Sequence, residues 1–192
     1  MPHDLPDNLV AAAQAGDVSA LNRLVADNRQ GVYRYGLHVC RTTEDAEDAV
    51  QETLWAATRA IQTFRGTAAS IASWMFTIVR RECLRLLERH RRSPTLGGRE
   101  DELVAEVVDP GDAVALRRRI ELLASALADL EPLQREVILL RDIRELSAPE
   151  AAQVLGISID ALKSRLHRAR VNLREHVLRH AAERPTAEEP RG

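Results

Sequence analysis

The stretch that decides the fold is LSAPEAAQVLGISIDALKSRLHRARVNLR, residues 146–174. Ser147 opens an S-x-x-E capping box, and Pro149 falls in the first turn of the predicted helix, where its missing N–H is not needed. Gly156 can adopt the left-handed backbone that ends this helix, and Ser158 can cap the next one. A short helix, a glycine-containing turn and a longer helix predict a helix-turn-helix.

The second of these helices divides into an apolar face and a basic face. The apolar face has helical spacing: Leu162, Leu166, Ala169 and Leu173. The basic face has short polar side chains and long cationic ones. Its residues are Lys163, Ser164, Arg165, His167 and Arg168. Short donors near the helix N-terminus suit base edges, and long cations suit phosphates. The pattern favours a DNA-recognition helix, and the alternative is a solvated basic face on an ordinary helical hairpin.

The composition predicts an all-α protein. Ala, Leu, Arg and Glu dominate the 192 residues, and strict apolar–polar alternation is scarce. The 27 basic and 29 acidic residues nearly balance, so any attraction to nucleic acid must come from local clusters. All six aromatic residues lie in the first part of the chain: Tyr33, Tyr35, Trp55, Phe64, Trp74 and Phe76. A C-terminal domain must therefore have an aliphatic core.

Two small helical domains are expected, an N-terminal helical bundle and the C-terminal helix-turn-helix, joined by an acidic linker. A loop signal after residue 93 is followed by six acidic residues and one arginine, which favours a linker. We predict a domain over 1–93, an acidic flexible linker over 94–116, a second domain over 117–179 and a disordered tail over 180–192. Within the first domain we expect helices over 9–14, 20–26, 31–40, 44–63 and 74–92, with Thr43 and Ser73 capping the last two.

The predicted helix over 74–92 has an aromatic side chain among arginines. Its apolar face comprises Met75, Phe76, Val79, Cys83, Leu86 and Leu87. Arg81, Arg85 and Arg89 recur on the other side with Trp74, and Arg80 lies at the edge. Single-stranded nucleic acid binds to such an arrangement through base stacking and phosphate contacts. An equally weighted alternative is that a neighbouring helix buries Trp74 and the arginines only keep the surface soluble.

The predicted helix over 44–63 is acidic on one side. Its core stripe comprises Ala46, Val50, Leu54 and Ala57, and its polar side comprises Asp45, Asp48, Gln51, Glu52 and Trp55. Acidic residues in the first turn complement the helix dipole, but this does not account for Glu52 or for a tryptophan on a polar face. We interpret the polar side as a docking surface for a basic protein partner.

Cysteine content and the absence of an apolar run predict a soluble protein of a reducing, cytosolic compartment. Cys40 and Cys83 are too few for a disulfide framework or a zinc finger, and Cys83 lies on a core face, so we interpret it as a small hydrophobe. The N-terminus has no secretory-signal pattern, and no apolar run approaches about 18 residues.

Two other classes of function are a regulator that binds duplex DNA and a metalloprotein or enzyme. A repressor or activator that only binds duplex DNA would leave the acidic helix and the Trp74 face without a role. For a metalloprotein or enzyme, His176 and His180 are spaced as ligands can be, but no third ligand is near in sequence. No nucleophile–base pairing or glycine-rich phosphate loop stands out. We therefore expect no enzymatic activity, no metal and no cofactor.

Three segments resemble regions of the extracytoplasmic-function (ECF) sigma factors, a group of the bacterial sigma-70 family. DAEDAVQET (45–53) resembles the region that docks on the β′ clamp helices of RNA polymerase. ASWMFTIVRRECLRLL (72–87) is similar to the region that opens and reads the −10 promoter element, and residues 130–175 to the domain that reads the −35 element. The three occur in the family's order and together span about residues 8–175.

The resemblance implies a sigma factor that directs promoter-specific transcription initiation. The residues implied to contact polymerase are Asp45, Asp48, Gln51, Glu52 and Trp55. Those implied for the −10 strand are Phe64, Trp74, Arg80, Arg81 and Arg85. Those implied for the −35 element are Lys163, Ser164, Arg165, His167 and Arg168. The implied partners are the β′ clamp helices and β flap of core RNA polymerase, promoter DNA and an anti-sigma protein, with no membrane insertion.

The sequence departs from the family's usual pattern at three places. Arg81 stands where Asn is common, Ala152 where Ile is common, and Asp160-Ala161-Leu162 where Gly-Thr-Val is common. These departures concern the promoter sequence that would be preferred, and they leave the class of protein unchanged.

Overall fold

The computed structural model describes residues 7–67, 70–92 and 113–182, which form eight α-helices and no strand. The first four are α1 (Asp7–Gln14), α2 (Val18–Val39), α3 (Thr43–Ala60) and α4 (Ile71–Arg92). The others are α5 (Ala113–Ala128), α6 (Pro132–Ile138), α7 (Ala148–Leu155) and α8 (Ile159–Ala182). A 3₁₀ turn (Ile61–Thr63) follows α3, and a π-helical turn (Leu139–Ile143) follows α6. The all-α prediction is confirmed.

Helices α2, α3 and α4 pack against one another as a bundle, with α1 across α2. The predicted break between residues 26 and 31 is wrong, because α2 continues through it; Gly31 is a helical residue beside the ring of Phe76. Thr42, and not Thr43, caps α3 by accepting from the Asp45 N–H at 3.1 Å. Helix α4 begins three residues before the predicted start, so Ser73 is inside it and donates to the carbonyl of Ser70.

The helix-turn-helix forms as the sequence predicts. The Ser147–Glu150 capping box is present at the start of α7, and Gly156 ends this helix with φ 66° and ψ 35°. The apolar stripe of α8 is buried at Leu162, Leu166 and Ala169. Positive φ values suit glycine because it lacks a Cβ. Local capping and turn chemistry therefore account for this motif.

Two boundaries in the C-terminal half of the chain also differ from prediction. Helix α5 begins at Ala113, inside the predicted linker, because its first turn contains alanine and leucine, which are good helix formers. Helix α8 continues to Ala182, inside the predicted tail. The rest of the acidic linker, from 94 to 112, and the tail from 183 lie outside the described residues.

A disulfide joins the C-terminal cap of α2 to the middle of α4. It links Cys40 to Cys83, with Cα atoms 4.8 Å apart. The core position of Cys83 was predicted correctly, and its solvent exposure is 0%. The interpretation of Cys83 as an unpaired small hydrophobe is wrong, because packing of α2 on α4 brings a second cysteine to it.

Apolar residues of both halves of the chain form one continuous core. Helix α4 packs on α7, and α2 also contacts α6. The N-terminal part supplies the aromatic side chains of this core, such as Tyr35 and Phe76, and the C-terminal part supplies aliphatic ones, such as Val137 and Leu140. The helical bundle and the helix-turn-helix therefore lie in direct contact.

Candidate protein and nucleic-acid interfaces

The acidic side of α3 is open to solvent as predicted, with one exception. Asp48, Gln51 and Glu52 are exposed, and Trp55 keeps 60% of its surface accessible. Asp45 is instead buried, with its carboxylate oxygens 2.9 and 3.0 Å from Nε2 of His90 in α4. The structure thus places Asp45 in a contact between α3 and α4, apart from the other four predicted residues.

A groove runs between this acidic side and the arginines of α4. Asp48, Gln51 and Glu52 line one wall, and Glu82, Arg85 and Arg89 line the other. Arg85 Nε lies 2.7 Å from a Glu82 carboxylate oxygen, so part of the basic charge is balanced within α4 itself. The side chains of Asp48, Gln51 and Glu52 are exposed to solvent at this groove.

Trp74 lies at the start of α4 with one side covered. The ring of Phe64 packs on it with centroids 4.9 Å apart, and the loop carbonyl of Phe64 accepts a 2.8 Å hydrogen bond from Gln14 Nε2 of α1. Phe64 is buried and Trp74 is half-buried. The chain thus holds a fixed aromatic pair of which Trp74 is the more accessible member. The exposure of Trp74 is thus intermediate between what its two interpretations predict, and its role in binding nucleic acid stays a prediction.

The arginines of α4 lie in two different environments. Arg81 and Arg85 are exposed on the same helix as Trp74. Arg80 is drawn into the contact between the two halves of the chain, where its Nε lies 2.7 Å from the carboxylate of Glu136 in α6. Burial lowers the pKa of Arg80, but the hydrogen bond and charge of Glu136, together with Tyr35, outweigh burial, so the pKa is raised. In this arrangement Arg80 is occupied by a partner within the protein.

The predicted DNA-reading face of α8 is largely accessible. Lys163, Ser164, His167 and Arg168 are exposed, and Arg165 is half-buried. The Arg168 guanidinium donates to Ser164 Oγ at 3.0 Å, which aligns the longer side chain along the helix. The face therefore presents short hydroxyl and long cationic groups side by side, as contacts to bases and phosphates require.

Two side-chain contacts hold α8 against the elements before it. Helix periodicity does not predict them. Arg170 binds Asp142, at the end of the π-helical turn, through two hydrogen bonds of 2.6 and 3.0 Å, which raise the pKa of Arg170. Asn172 also donates to Gln134 of α6 at 3.1 Å. These pairs could not be predicted from the sequence, because their members are 28 and 38 residues apart.

His176 of α8 contacts the end of α5 in a polar cluster. Its Nδ1 is 3.0 Å from Asp129, and its Nε2 is 3.3 Å from Ser125 Oγ. The order Asp–His–Ser resembles a catalytic triad, but Ser125 is inside α5, where backbone N–H groups are used by the helix and cannot stabilise an oxyanion. The cluster therefore fixes the packing of α5 on α8. In the described ranges no three His, Cys, Asp or Glu residues are grouped so as to hold a metal ion.

The structure thus defines a two-domain helical protein with an acidic aromatic surface on α3 and basic surfaces on α4 and α8. The sigma-70 region 2 family model matches residues 24–93, and the sigma-70 region 4 model matches residues 120–173. None of the described helices is both long enough and apolar enough to span a membrane.

Curated relatives match over most of the chain. The ECF RNA polymerase sigma factor SigM of Mycobacterium tuberculosis is 33% identical over 173 residues, covering 89% of this chain and 84% of that protein. The RNA polymerase sigma factor CnrH of Cupriavidus metallidurans is 33% identical over 180 residues, covering 90% of this chain and 94% of that protein.

Two solved structures are similar as well. CnrH in complex with the cytosolic domain of CnrY has a TM-score of 0.62 at 30% identity, covering 93% of this chain and 98% of that one. The sigma factor RpoE of Bartonella quintana in complex with the anti-sigma factor NepR has a TM-score of 0.67 at 25% identity, covering 87% of this chain and all of that one. The chain belongs to the ECF group of the sigma-70 family, and its function is promoter-specific transcription initiation.

Proposed function

We propose that three surfaces divide the work of this sigma factor. The exposed acidic side of α3 docks on the β′ clamp helices of core RNA polymerase. The aromatic and basic side of α4 takes the melted −10 strand, and the basic face of α8 binds the −35 element. The observation that supports this assignment is that α3 exposes a tryptophan and carboxylates on one side, whereas α4 and α8 expose arginines and a lysine.

Neither DNA-binding surface has enough cations for tight binding alone. On α8 the exposed long cations of the reading face are Lys163 and Arg168, and on α4 they include Arg81 and Arg85. Each phosphate contact adds roughly 0.9 to the salt dependence of binding on duplex and about 0.7 on a single strand. Attachment of both domains to one polymerase makes the second DNA contact intramolecular, which raises its effective concentration. Base stacking on Trp74 would favour the opened strand.

We also propose where this protein acts and which further partners it binds. The protein would act in the cytoplasm as an initiation factor without catalytic activity of its own, and it would bind the β flap as well as the β′ clamp helices. Two similar structures are complexes of sigma factors with CnrY and NepR, which supports an anti-sigma partner for this chain too.

The decisive experiment is run-off transcription with core polymerase and the full chain. We expect transcripts that start at one position on a cognate promoter and disappear when the protein is omitted. A promoter whose −10 and −35 elements are scrambled is the control. If no promoter gives a specific transcript while the protein still binds duplex DNA, the repressor or activator interpretation replaces this one.

Arg168→Ala is expected to weaken binding of the full chain to −35 duplex DNA roughly five- to tenfold. Because one phosphate contact is lost, the plot of log affinity against log salt should become shallower by about 0.9. Fluorescence anisotropy over a range of salt concentrations measures both. Arg179→Ala is the matched control, since this exposed arginine lies about 16 Å further along the same helix. An unchanged slope in Arg168→Ala would exclude Arg168 from the phosphate contacts.

A further inference from the structure

A side chain of α1 holds the connection between α3 and α4. An amide nitrogen has two hydrogens to donate, and Nε2 of Gln14 donates to the carbonyl of Ile61 at 3.2 Å and to that of Phe64 at 2.8 Å. These carbonyls belong to the first residue of the 3₁₀ turn and to the residue that caps its end. One half-buried side chain therefore fixes both ends of this turn, from 47 and 50 residues away in sequence.

The position of Gln14 is itself fixed, because it is the last residue of α1. Val10 and Ala13 of this helix are buried in the core. After Gln14 the chain turns at Gly16, which has a φ of 96° and donates its N–H to the carbonyl of Ala13 at 3.1 Å. A left-handed glycine of this kind ends a helix at a defined residue. The amide of Gln14 is thus presented to the connection by a helix end that is packed in place.

The residue that Gln14 anchors covers part of Trp74. Phe64 is only 9% exposed, and its ring packs on the indole of Trp74 with centroids 4.9 Å apart. The chain then passes close to the same ring at Gly66, where a Cβ would lie 2.5 Å from Cζ of Phe64. Carbon atoms that are not bonded do not approach so closely, so a larger residue there would displace the ring or the loop. Phe64 is therefore held through both its carbonyl and its ring.

The place of Phe64 decides how Trp74 is presented. Phe64 covers part of the indole, and the rest of the half-buried side chain stays accessible. Stacking contributes to binding of an unpaired base where a ring face is open and is held in one orientation. If Phe64 moved away, the indole could turn into the space that the phenyl ring leaves. The hydrogen bonds from Gln14 therefore act on the base-stacking surface without belonging to it.

We propose that Gln14 is a positioning residue for the melted −10 strand. By anchoring the carbonyl of Phe64, it keeps this ring against Trp74 and so keeps the accessible face of Trp74 ready for one unpaired nucleobase. Gln14 itself does not touch the base. The inference rests on the proposed assignment of Trp74 to the −10 strand, and it gives α1 a part in recognition of this element.

The test is Gln14→Glu in the full chain assembled with core polymerase. A charged carboxylate has nearly the shape of the amide but cannot donate a hydrogen bond to either carbonyl. Fluorescence anisotropy compares an intact single-stranded −10 oligonucleotide with a series in which one base at a time is replaced by an abasic site. At the position that stacks on Trp74, the wild type should lose affinity roughly tenfold and Gln14→Glu less than about threefold. Trp74→Ala identifies this position, because the abasic penalty there should disappear without the indole.

The ratio of intact to abasic affinity distinguishes positioning from general damage. A variant that is only less stable or more negatively charged binds both oligonucleotides more weakly and keeps the ratio. Gln30→Glu is the matched control, since Gln30 is exposed on α2 and the change of charge is the same; it should keep the wild-type ratio. Gln14→Leu removes the donor without adding charge and should lower the ratio as Gln14→Glu does. It decides the question if circular dichroism shows that Gln14→Glu does not fold.

Fluorescence of Trp74 gives a second readout that needs no DNA. In a Trp55→Phe background Trp74 is the one remaining tryptophan. Gln14→Glu should shift its emission to longer wavelength relative to Gln30→Glu, because displacement of Phe64 admits water to the indole. Gly66→Ala should give the same shift by pushing the ring of Phe64 from the loop side.

The wild type separates failure of this inference from failure of the proposed function. If the wild type and both Gln14 variants show the same abasic penalty at the Trp74 position, the role of Gln14 is overturned and the assignment of Trp74 stands. If the wild type is indifferent to abasic sites at every position, the assignment of Trp74 to the −10 strand is overturned, and the role of Gln14 with it.

Discussion

Reduction of the Cys40–Cys83 disulfide is expected to lower the free energy of unfolding of the protein by about 4 kcal/mol. The bond closes a loop with a sequence separation of 43 residues, and the chain-entropy relation for a loop of that length gives this magnitude. The loop includes α3 and the first half of α4, so the unfolded ensemble of the whole bundle is constrained. Urea denaturation with and without a phosphine reductant measures the difference.

The matched control is the double variant Cys40→Ala/Cys83→Ala, which should unfold at the same urea concentration with and without reductant. A wild type whose unfolding midpoint does not respond to reductant, with both thiols confirmed free by mass, would contradict the prediction. The result bears on function because cytosolic thiols are kept reduced. In such a compartment the protein would have the lower free energy of unfolding, that of the reduced form.

Helix faces and the caps of the helix-turn-helix were the features that sequence could predict, whereas the predicted caps Thr43 and Ser73 were wrong. Periodicity placed Val50, Val79 and Leu162 in the core, and all three are buried. The capping box at Ser147 and the left-handed Gly156 involve only neighbours in sequence, so turn chemistry was sufficient to find them. These short-range rules also predicted which sides of α3, α4 and α8 remain open.

Residues at the edge of a face could not be assigned in this way, because their partners come from other elements. Asp45 was predicted on the open side of α3, but His90 of α4 binds it. Arg80 was predicted for DNA, but Glu136 of α6 holds it, and the two are 56 residues apart. A helical wheel describes direction around one axis and contains no information about which helix packs beside it. The disulfide escaped prediction for the same reason.

Glu52→Arg is expected to weaken binding of the full chain to core polymerase roughly a hundredfold. The wild-type carboxylate is exposed beside Trp55, and an arginine there would face the basic partner that this side of α3 is proposed to bind. Like charges brought together in an interface cost several kcal/mol, which corresponds to a change of this order. Glu and Arg have similar helix propensities, so α3 should remain folded.

Glu47→Arg is the control for Glu52→Arg. It makes the same change of charge at a different position on α3, so it separates the effect of position from the effect of net charge. Glu47 is also exposed on α3, but it lies about 140° around the helix from Glu52 and about two turns before Trp55. Affinity measured with labelled core polymerase should fall for Glu52→Arg and change less than threefold for Glu47→Arg. Binding of both variants to −35 duplex DNA should equal that of the wild type, since α8 is untouched. Equal losses of polymerase affinity in the two variants would indicate an effect of net charge, and the docking surface would then have to be sought elsewhere.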